Sequence, residues 1–428
     1  MSRSTRYALS LFSFFVAAPA AAQVGWELVD TMPYTSSGIY PAYPVEPERP
    51  TTVWAQIGVM RDDNPFRFSD AVDTSRILGG QRKSDTILRY GGGIRHDQRV
   101  VGRQRVILEA RGDYYDYNTY DQLDHFAYSL LGDWRWEIGN QLSGSLGVGR
   151  IQRLADPSEV LRPVKEEVVA NRAFASAAYQ FAPTWRVRGA IEGENAERDR
   201  PDLESIESNS QTVRAGVDYV STLGNAIGVE WRESRGDAPV NDLVDPAGDF
   251  VGNEYKEREI AAVVSYGATS QIRVGGRLGR TERTYTQLTD RDFDGTTWRA
   301  TIEWLPGNKT ILGFETYNAP QSVIDVTAAH VVVRGSAFAA SWAPTAKLVF
   351  TGRVFEERRE GVGTPESVVL GLPVRDDTVQ GVRFGIGWEP VRYAEIGFGI
   401  EYGERTSNEI LRDYDYVAGM INLRVRLR

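Results

Sequence analysis

A period of two recurs through most of this 428-residue chain: segments of about ten residues alternate apolar with polar or small side chains, then stop at a turn signal or an acidic loop. In Arg105 to Tyr115, Val106, Leu108, Ala110, Gly112 and Tyr114 share one face, and Arg105, Ile107, Glu109, Arg111 and Asp113 share the other. From His125 to Ile138, Phe126, Tyr128, Leu130, Trp134, Trp136 and Ile138 oppose Asp133, Arg135 and Glu137. The split returns in Trp185 to Glu192, Gln271 to Leu278, Trp298 to Trp304, Val379 to Trp388, Ala394 to Tyr402 and Ile421 to Leu427. Successive strand side chains point to opposite faces, so each segment reads as a strand with one apolar and one charged face.

The connections alternate between tight and long. Short turns are expected at Gly139-Asn140, Ala182-Pro183, Leu223-Gly224-Asn225, Thr269-Ser270, Leu305-Pro306-Gly307-Asn308, Ala343-Pro344 and Pro390-Val391, with a looser one near Val100 to Gly102. Between them lie polar loops at 61–84, 152–168, 194–209, 233–254, 281–295, 317–328, 357–377 and 404–411, and a short one around Asn118. The pattern predicts an all-β, antiparallel up-and-down transmembrane β-barrel of about 18 strands (16–18), with tight turns and both termini in the periplasm. Aromatics flank the tight turns as an interfacial girdle would: Trp136, Tyr179, Phe181, Trp185, Tyr219, Tyr266, Trp304, Trp342, Trp388 and Tyr393. A mean hydropathy of −0.36 fits this reading, because only alternate residues need face lipid.

The N-terminus carries Arg3 and Arg6, then the apolar run Ala8 to Ala18, then Ala20-Ala21-Ala22. That order is the sequence of a secretory signal, and the run is shorter than the roughly 20 residues a membrane helix needs. Residues 1–22 are expected to be a signal peptide and the Pro-rich stretch 23–50 a periplasmic segment, leaving 51–428 as a barrel in the bacterial outer membrane. The chain ends Arg426-Leu427-Arg428, where outer-membrane barrels commonly end in an aromatic residue.

Composition removes several chemistries. The absence of Cys excludes thiolate metal sites and disulfides, and three His argue against a multi-histidine centre. A net charge of −9 argues against nucleic acid as a partner. No cofactor is expected and no phosphate loop lies in a strand-to-helix context. His125 beside Asp124, with Ser129, is the sole catalytic candidate, and it lacks a nucleophile elbow. Asp62-Asp63-Asn64 and Asp290 to Gly295 loosely resemble calcium-loop chemistry without its ligand spacing, so no metal is expected either.

If the apolar faces point outward, alternation puts a polar set in the lumen: Arg89, Arg95, Arg105, Glu109, Arg111, Asp133, Arg135, Glu137, Arg186, Arg188, Glu192, Glu230, Arg232, Arg273, Arg277, Arg299, Glu303, Arg353, Arg383, Glu395, Glu401, Arg424 and Arg426. Guanidinium rungs of this kind can guide anionic or hydroxyl-rich molecules by paired hydrogen bonds, or simply pair with carboxylates on neighbouring strands. Tyr114, Tyr115, Tyr117, Tyr120, Tyr414 and Tyr416, set among carboxylates, are candidates for stacking on sugar rings.

The stretch Arg61 to Arg67 (RDDNPFR), then Asp73-Thr74, then Leu88 to Val100 (LRYGGGIRHDQRV), resembles the opening of the EpsL-like outer-membrane barrels that accompany exosortase-linked exopolysaccharide clusters. Tyr117, Asp121 to Asp124, Trp134-Arg135-Trp136, Gly139-Asn140 and Ser143-Gly144 continue it, and Pro183 to Val187 also fits. Specific similarity covers roughly the first third of the expected mature chain. The resemblance implies a channel or export component for exopolysaccharide, with outer-membrane lipid, polysaccharide and periplasmic export machinery as partners. A diffusion porin for small hydrophilic solutes is the alternative.

Overall fold

The computed structural model describes residues 50–428 apart from 161, 200–205, 238–253, 288–291, 323–327, 364–374, 410 and 428. The expected signal peptide and nearly all of the Pro-rich segment lie outside the described residues.

Eighteen strands carry the fold. They are β1 (Thr51–Asp62), β2 (Asp85–Arg99), β3 (Arg105–Tyr117), β4 (His125–Ile138), β5 (Leu142–Leu154), β6 (Glu167–Ala182), β7 (Trp185–Asp199), β8 (Ile206–Val220) and β9 (Ala226–Asp237). The second half comprises β10 (Glu254–Gly267), β11 (Ile272–Tyr285), β12 (Phe293–Gly307), β13 (Thr310–Ser322), β14 (Ala328–Thr345), β15 (Leu348–Gly363), β16 (Asp376–Val391), β17 (Ala394–Ser407) and β18 (Tyr414–Leu427). Each pairs antiparallel with its sequence neighbours, and β1 pairs with β18 from Val53↔Leu427 to Asp62↔Ala418. The sheet therefore closes on itself with no free edge, an up-and-down barrel at the upper end of the expected strand count.

The side-chain distribution is inside out. Ile57, Val59, Leu130, Trp134, Ile191, Val229, Ile260, Leu278, Phe338, Phe384, Ile400 and Ile421 are exposed, while Arg89, Asp113, Glu230, Arg232, Glu257, Arg283 and Arg405 are buried. Trp185, Tyr219, Trp304, Trp342, Trp388 and Tyr393 stand exposed beside the short turns. An outward apolar belt with an aromatic rim, on a closed sheet without a free edge, is a surface built for hydrocarbon. The chain is a transmembrane barrel of the bacterial outer membrane.

All eight tight turns occur, three of them displaced. Leu305-Pro306, Ala343-Pro344 and Pro390-Val391 are not turns but strand ends, each within a register shift, between Trp304 and Gly307, Trp342 and Thr345, and Trp388 and Val391. A bulge is where a residue without an N–H costs no ladder bond, so each proline marks the bulge and the reversal follows two residues later. At the other end the strands outrun the loops drawn from sequence: β7 continues to Asp199, β11 to Tyr285, β15 to Gly363 and β17 to Ser407.

Close backbone approach explains Gly91. A Cβ there would lie 2.2 Å from the Gly112 carbonyl oxygen and 2.5 Å from Asp113 Oδ1, whereas at Gly193 nothing lies within 4 Å. Gly91→Val is expected to cost about 1–3 kcal/mol of barrel stability through overpacking, and Gly193→Val much less. Heat-modifiable migration on denaturing gels, measured at increasing temperature, checks the difference.

Candidate functional site

The inner face of the wall is a continuous web of arginines and carboxylates, because alternation that sends Val and Leu outward sends the charged partner inward. On β1 to β3, Asp113 accepts from Arg89 at 3.0 Å and from Arg111 at 2.9 Å, Gln56 donates to the same carboxylate, and Arg424 reaches Gln56 Oε1 at 3.2 Å. Towards the short turns, Arg95 meets Glu109 at 2.7 Å, Arg105 meets Asp97 at 2.5 Å and Arg135 meets Asp133 at 2.7 Å. Glu137 pairs with Arg103 at 3.0 Å on the turn-side rim.

Across the barrel the web is denser. Glu192 accepts Arg172 at 2.7 Å and Arg214 at 3.4 Å, and Asp218 takes Arg186 at 2.7 Å and Arg188 at 3.1 Å. Arg188 continues to Glu230, which also holds Arg277 at 2.6 Å, and Arg277 bridges on to Glu259 at 2.7 Å. Arg232 spans Glu257 and Glu259, and Arg283, fully buried, closes on Glu257 at 2.7 Å. The remaining candidates form shorter rungs: Arg273 with Glu303 at 2.9 Å, Arg299 with Glu315 at 3.2 Å, Arg383 with Glu401 at 2.7 Å, and Arg426 with Glu389 at 2.9 Å and Glu395 at 3.6 Å. Arg353 lies 5.7 Å from the Phe355 ring. Each desolvated charge here has an opposite charge or a ring beside it, as burial of ions demands.

At the long-loop end two connections fold into the barrel. After β5 the chain continues to a short helix (Pro157–Val160). Asp156 caps it, its Oδ1 accepting Ser158 N at 2.9 Å, with proline at the first helical position. The base of the loop is held by Ala155, which packs with Ile151, Val168, Ala170 and Ala196 of the wall. Its far side reaches β17, where Arg405 donates to the Ser158 carbonyl at 3.1 Å and to Ser158 Oγ at 3.2 Å. By the strand pairings β17 is six positions round the wall from β5, so the loop crosses the mouth instead of standing above it. Arg405 is itself fixed by Tyr414, 5.0 Å away at the ring centroid, and by Asp377 at 3.7 Å.

The β1–β2 connection forms the second inward element. Phe66 and Phe68 stack at 5.3 Å, Phe66 meets Tyr120 edge-on at 4.7 Å, and Leu78 and Leu123 complete the cluster. Asn64 holds it to the wall, donating to the Phe68 and Asp415 carbonyls at 2.9 Å. Arg67, at φ 56°, lies 3.4 Å over the Tyr416 ring and pairs with Asp62 at 2.9 Å.

These contacts occupy most of the tyrosines expected to stack on sugars. Tyr120 is 1 % exposed and offers no ring face. Tyr115 is stacked on His125 at 4.8 Å, Tyr117 packs against the phenylalanine cluster, Tyr416 lies under Arg67 and Tyr414 beside Arg405. Tyr114 points outward beside Tyr90, 5.5 Å away. The aromatic rings serve the packing of the mouth and rim. His125 Nδ1 bonds the Leu123 carbonyl at 2.8 Å, and among the described residues no hydrogen bond joins it to Ser129. Asp62 and Asp63 bond Arg67 and the Val417 amide, while 288–291 lies outside the described residues.

Sequence reasoning missed Asp218, Glu257, Glu259, Arg172, Arg214, Arg283, Asp377 and Arg405. Arg283, Asp377 and Arg405 fell in stretches read as loops. Glu257 and Glu259 share a face two residues apart, a signal the pattern offered, whereas Arg172, Arg214 and Asp218 each stand between uncharged residues on their own face.

No family model and no curated protein matches the chain. Among solved structures it is similar to the vanillate-bound Pseudomonas aeruginosa OpdK, at TM-score 0.46 and 9 % identity over 88 % of this chain and 99 % of that one. It is similar to the glucuronate complex of P. aeruginosa OccK2 (OpdF), at TM-score 0.45 and 11 % identity over 88 % and 98 %. The alcaligin outer-membrane receptor FauA of Bordetella pertussis gives TM-score 0.39 and 12 % identity over 88 % and 76 %. Likenesses this distant leave the function to be read from the barrel itself.

Asp156 is reached by solvent in the mouth yet ringed by protein. The surrounding wall pushes its carboxyl up, but hydrogen bonds from Ser158 and the nearby Arg405 and Arg359 guanidiniums outweigh this and hold it below the ordinary carboxylate range. A carboxyl lowered on folding contributes fully above its unfolded pKa and loses that contribution as pH falls through the folded value. The loop attachment is therefore expected to persist across neutral and mildly acid pH and to loosen only below about pH 4. Proteolytic sensitivity of the 155–166 loop, scanned with an acid-active protease, would show a rise confined to that range, and Asp156→Asn would abolish the pH dependence.

Proposed function

We propose that the chain is a passive, non-enzymatic channel for small hydrophilic solutes. The charged wall would keep a hydrated path through the bilayer, and the 155–166 loop would set the size limit at the mouth. The contact of Ser158 with Arg405 carries this reading. A loop anchored on β5 and β6 and bonded to β17 divides the entrance, so a solute passes beside it instead of through a clear bore. Barrels of 16–18 strands enclose an aqueous channel, and a chain of sugars would have to thread the divided entrance end-on. Paired arginines would exchange hydrogen bonds with hydroxyl or carboxylate groups in transit, and no bond is made or broken.

Exopolysaccharide export with periplasmic partners is the second reading, favoured by the resemblance of the first third of the chain to EpsL-like barrels. Part of that resemblance has an architectural explanation: Asn64, Phe66, Arg67 and Leu123 are packing residues of the mouth.

Liposome swelling with neutral sugars of increasing size, alongside single-channel conductance with the host's exopolysaccharide on one side, separates the readings. Entry of mono- and disaccharides with a steep fall for larger oligomers, and conductance indifferent to the polymer, is the expected result. Voltage-dependent block by the polymer would favour export. Absence of both swelling and conductance would overturn either channel reading. Arg405→Gln, which releases the loop from β17, is expected to raise conductance and shift the size limit upward, since the loop then relies on its β5–β6 base alone.

A further inference from the structure

On the outside of the wall, across β4 to β8, two neighbouring rows of residues run in register. The upper row is Leu130, Arg150, Asn171, Asn195 and Asn209, and the row beneath is Gly132, Val148, Ala173, Gly193 and Gln211. Because the lower row is made largely of small side chains, the surface is hollowed into a groove of about 610 Å³. Below it the belt is apolar, with Leu146, Ile191 and Val213 exposed.

Height fixes the environment of this groove. The four polar residues stand 8 to 11 residues above the short-turn ends of their strands. At roughly 3.3 Å per residue and a strand tilt of about 40°, that is about 25 Å, the height of the apolar band. The amide row thus meets the headgroups of the outer leaflet, and the small-residue row meets the tops of the acyl chains.

Its chemistry differs from that of outward arginines elsewhere on the wall. Arg258 is neutralised by Glu233 at 3.1 Å, Arg280 by Asp294 at 2.6 Å and Arg358 by Asp376 at 2.9 Å. Among the described residues, Arg150 is bonded only to neutral groups, Tyr128 Oη at 2.8 Å and Asn171 Oδ1 at 3.1 Å. Both contacts orient the guanidinium along the row and leave its charge uncompensated. Asn195 donates to Asn209 Oδ1 at 2.8 Å, which holds the amides edge to edge. A preorganised cation with a line of amides suits a phosphate and its sugar hydroxyls, and the hollow below suits an acyl chain. Glu197 and Glu207, paired directly one row above, supply hydroxyl acceptors and repel a phosphate back towards Arg150.

We infer that this groove seats a phosphorylated, acylated sugar lipid of the outer leaflet, with its phosphate on Arg150, its sugar along the asparagines and an acyl chain over Ala173 and Gly193. The site requires only that the barrel be embedded in an outer membrane, and it stands whether or not the lumen conducts.

The test uses the full barrel in mild detergent, incubated with a bisphosphorylated acylated glucosamine disaccharide or with phosphatidylethanolamine, and native mass spectrometry to count retained lipids. One sugar lipid per barrel is expected, retained about tenfold better than the phospholipid. Arg150→Gln should lower its retention about tenfold. Gly193→Leu fills the hollow from a position where a Cβ meets nothing within 4 Å, and should lower retention while heat-modifiable migration stays that of the parent. Equal retention of the two lipids, or parent-like retention in both variants, would overturn the inference. So would an oligomer of the parent that Gly193→Leu dissociates, since the occupant would then be a second copy of the chain.

Discussion

Everything in this barrel follows from one ladder, the pairing of β1 with β18. A sheet in hydrocarbon cannot leave an edge, because each unpaired N–H or C=O there costs several kcal/mol. Ten residue pairs from Val53↔Leu427 to Asp62↔Ala418 remove that edge. Closure in turn divides all strand positions into lipid-facing and lumen-facing sets, and the period of two then decides which set receives the charges.

Inside, the charges solve a problem as well as line a wall. Arginine suits the inner face because its planar fork can bond two carboxylates on different strands at once, as Arg277 does with Glu230 and Glu259. Such rungs offset their own desolvation and add little net stability, so the web specifies register and polarity more than it holds the barrel shut. The same economy operates at the mouth. Arg67 and Arg405 lie against tyrosine rings from β18, and through them two loops distant in sequence are tied to the last strand.

The fold was legible because lipid enforces alternation. Between the aromatic rim and the outer interface each strand must place an apolar side chain at every second position, and Ile421, Leu423, Val425 and Leu427 do so without exception. Above the membrane the enforcement stops. There both faces are polar, and β11 beyond Arg280 or β17 beyond Tyr402 reads as loop although the ladder continues. Arg283, Asp377 and Arg405 were hidden for this reason. The inward course of the 155–166 loop left no trace in the pattern, since its decisive bond joins Ser158 to a residue 247 positions away. The tyrosines mark a different limit: a flat ring between carboxylates has the composition of a sugar platform and of a packed rim alike, and composition does not separate the two.

The interleaving of opposite charges sets the reach of the electric field inside the barrel. Arg188, Glu230, Arg277, Glu259, Arg232 and Glu257 alternate in sign at hydrogen-bond spacing. Seen from the axis, such a chain is a row of dipoles whose potential dies away within a few ångströms, well inside the ionic screening length of about 8 Å. An ion on the axis is therefore steered weakly, whereas one that touches the wall meets single charges of either sign at full strength. If the barrel conducts, its discrimination would consequently be a property of contact, felt by molecules wide enough to brush the wall and by few others.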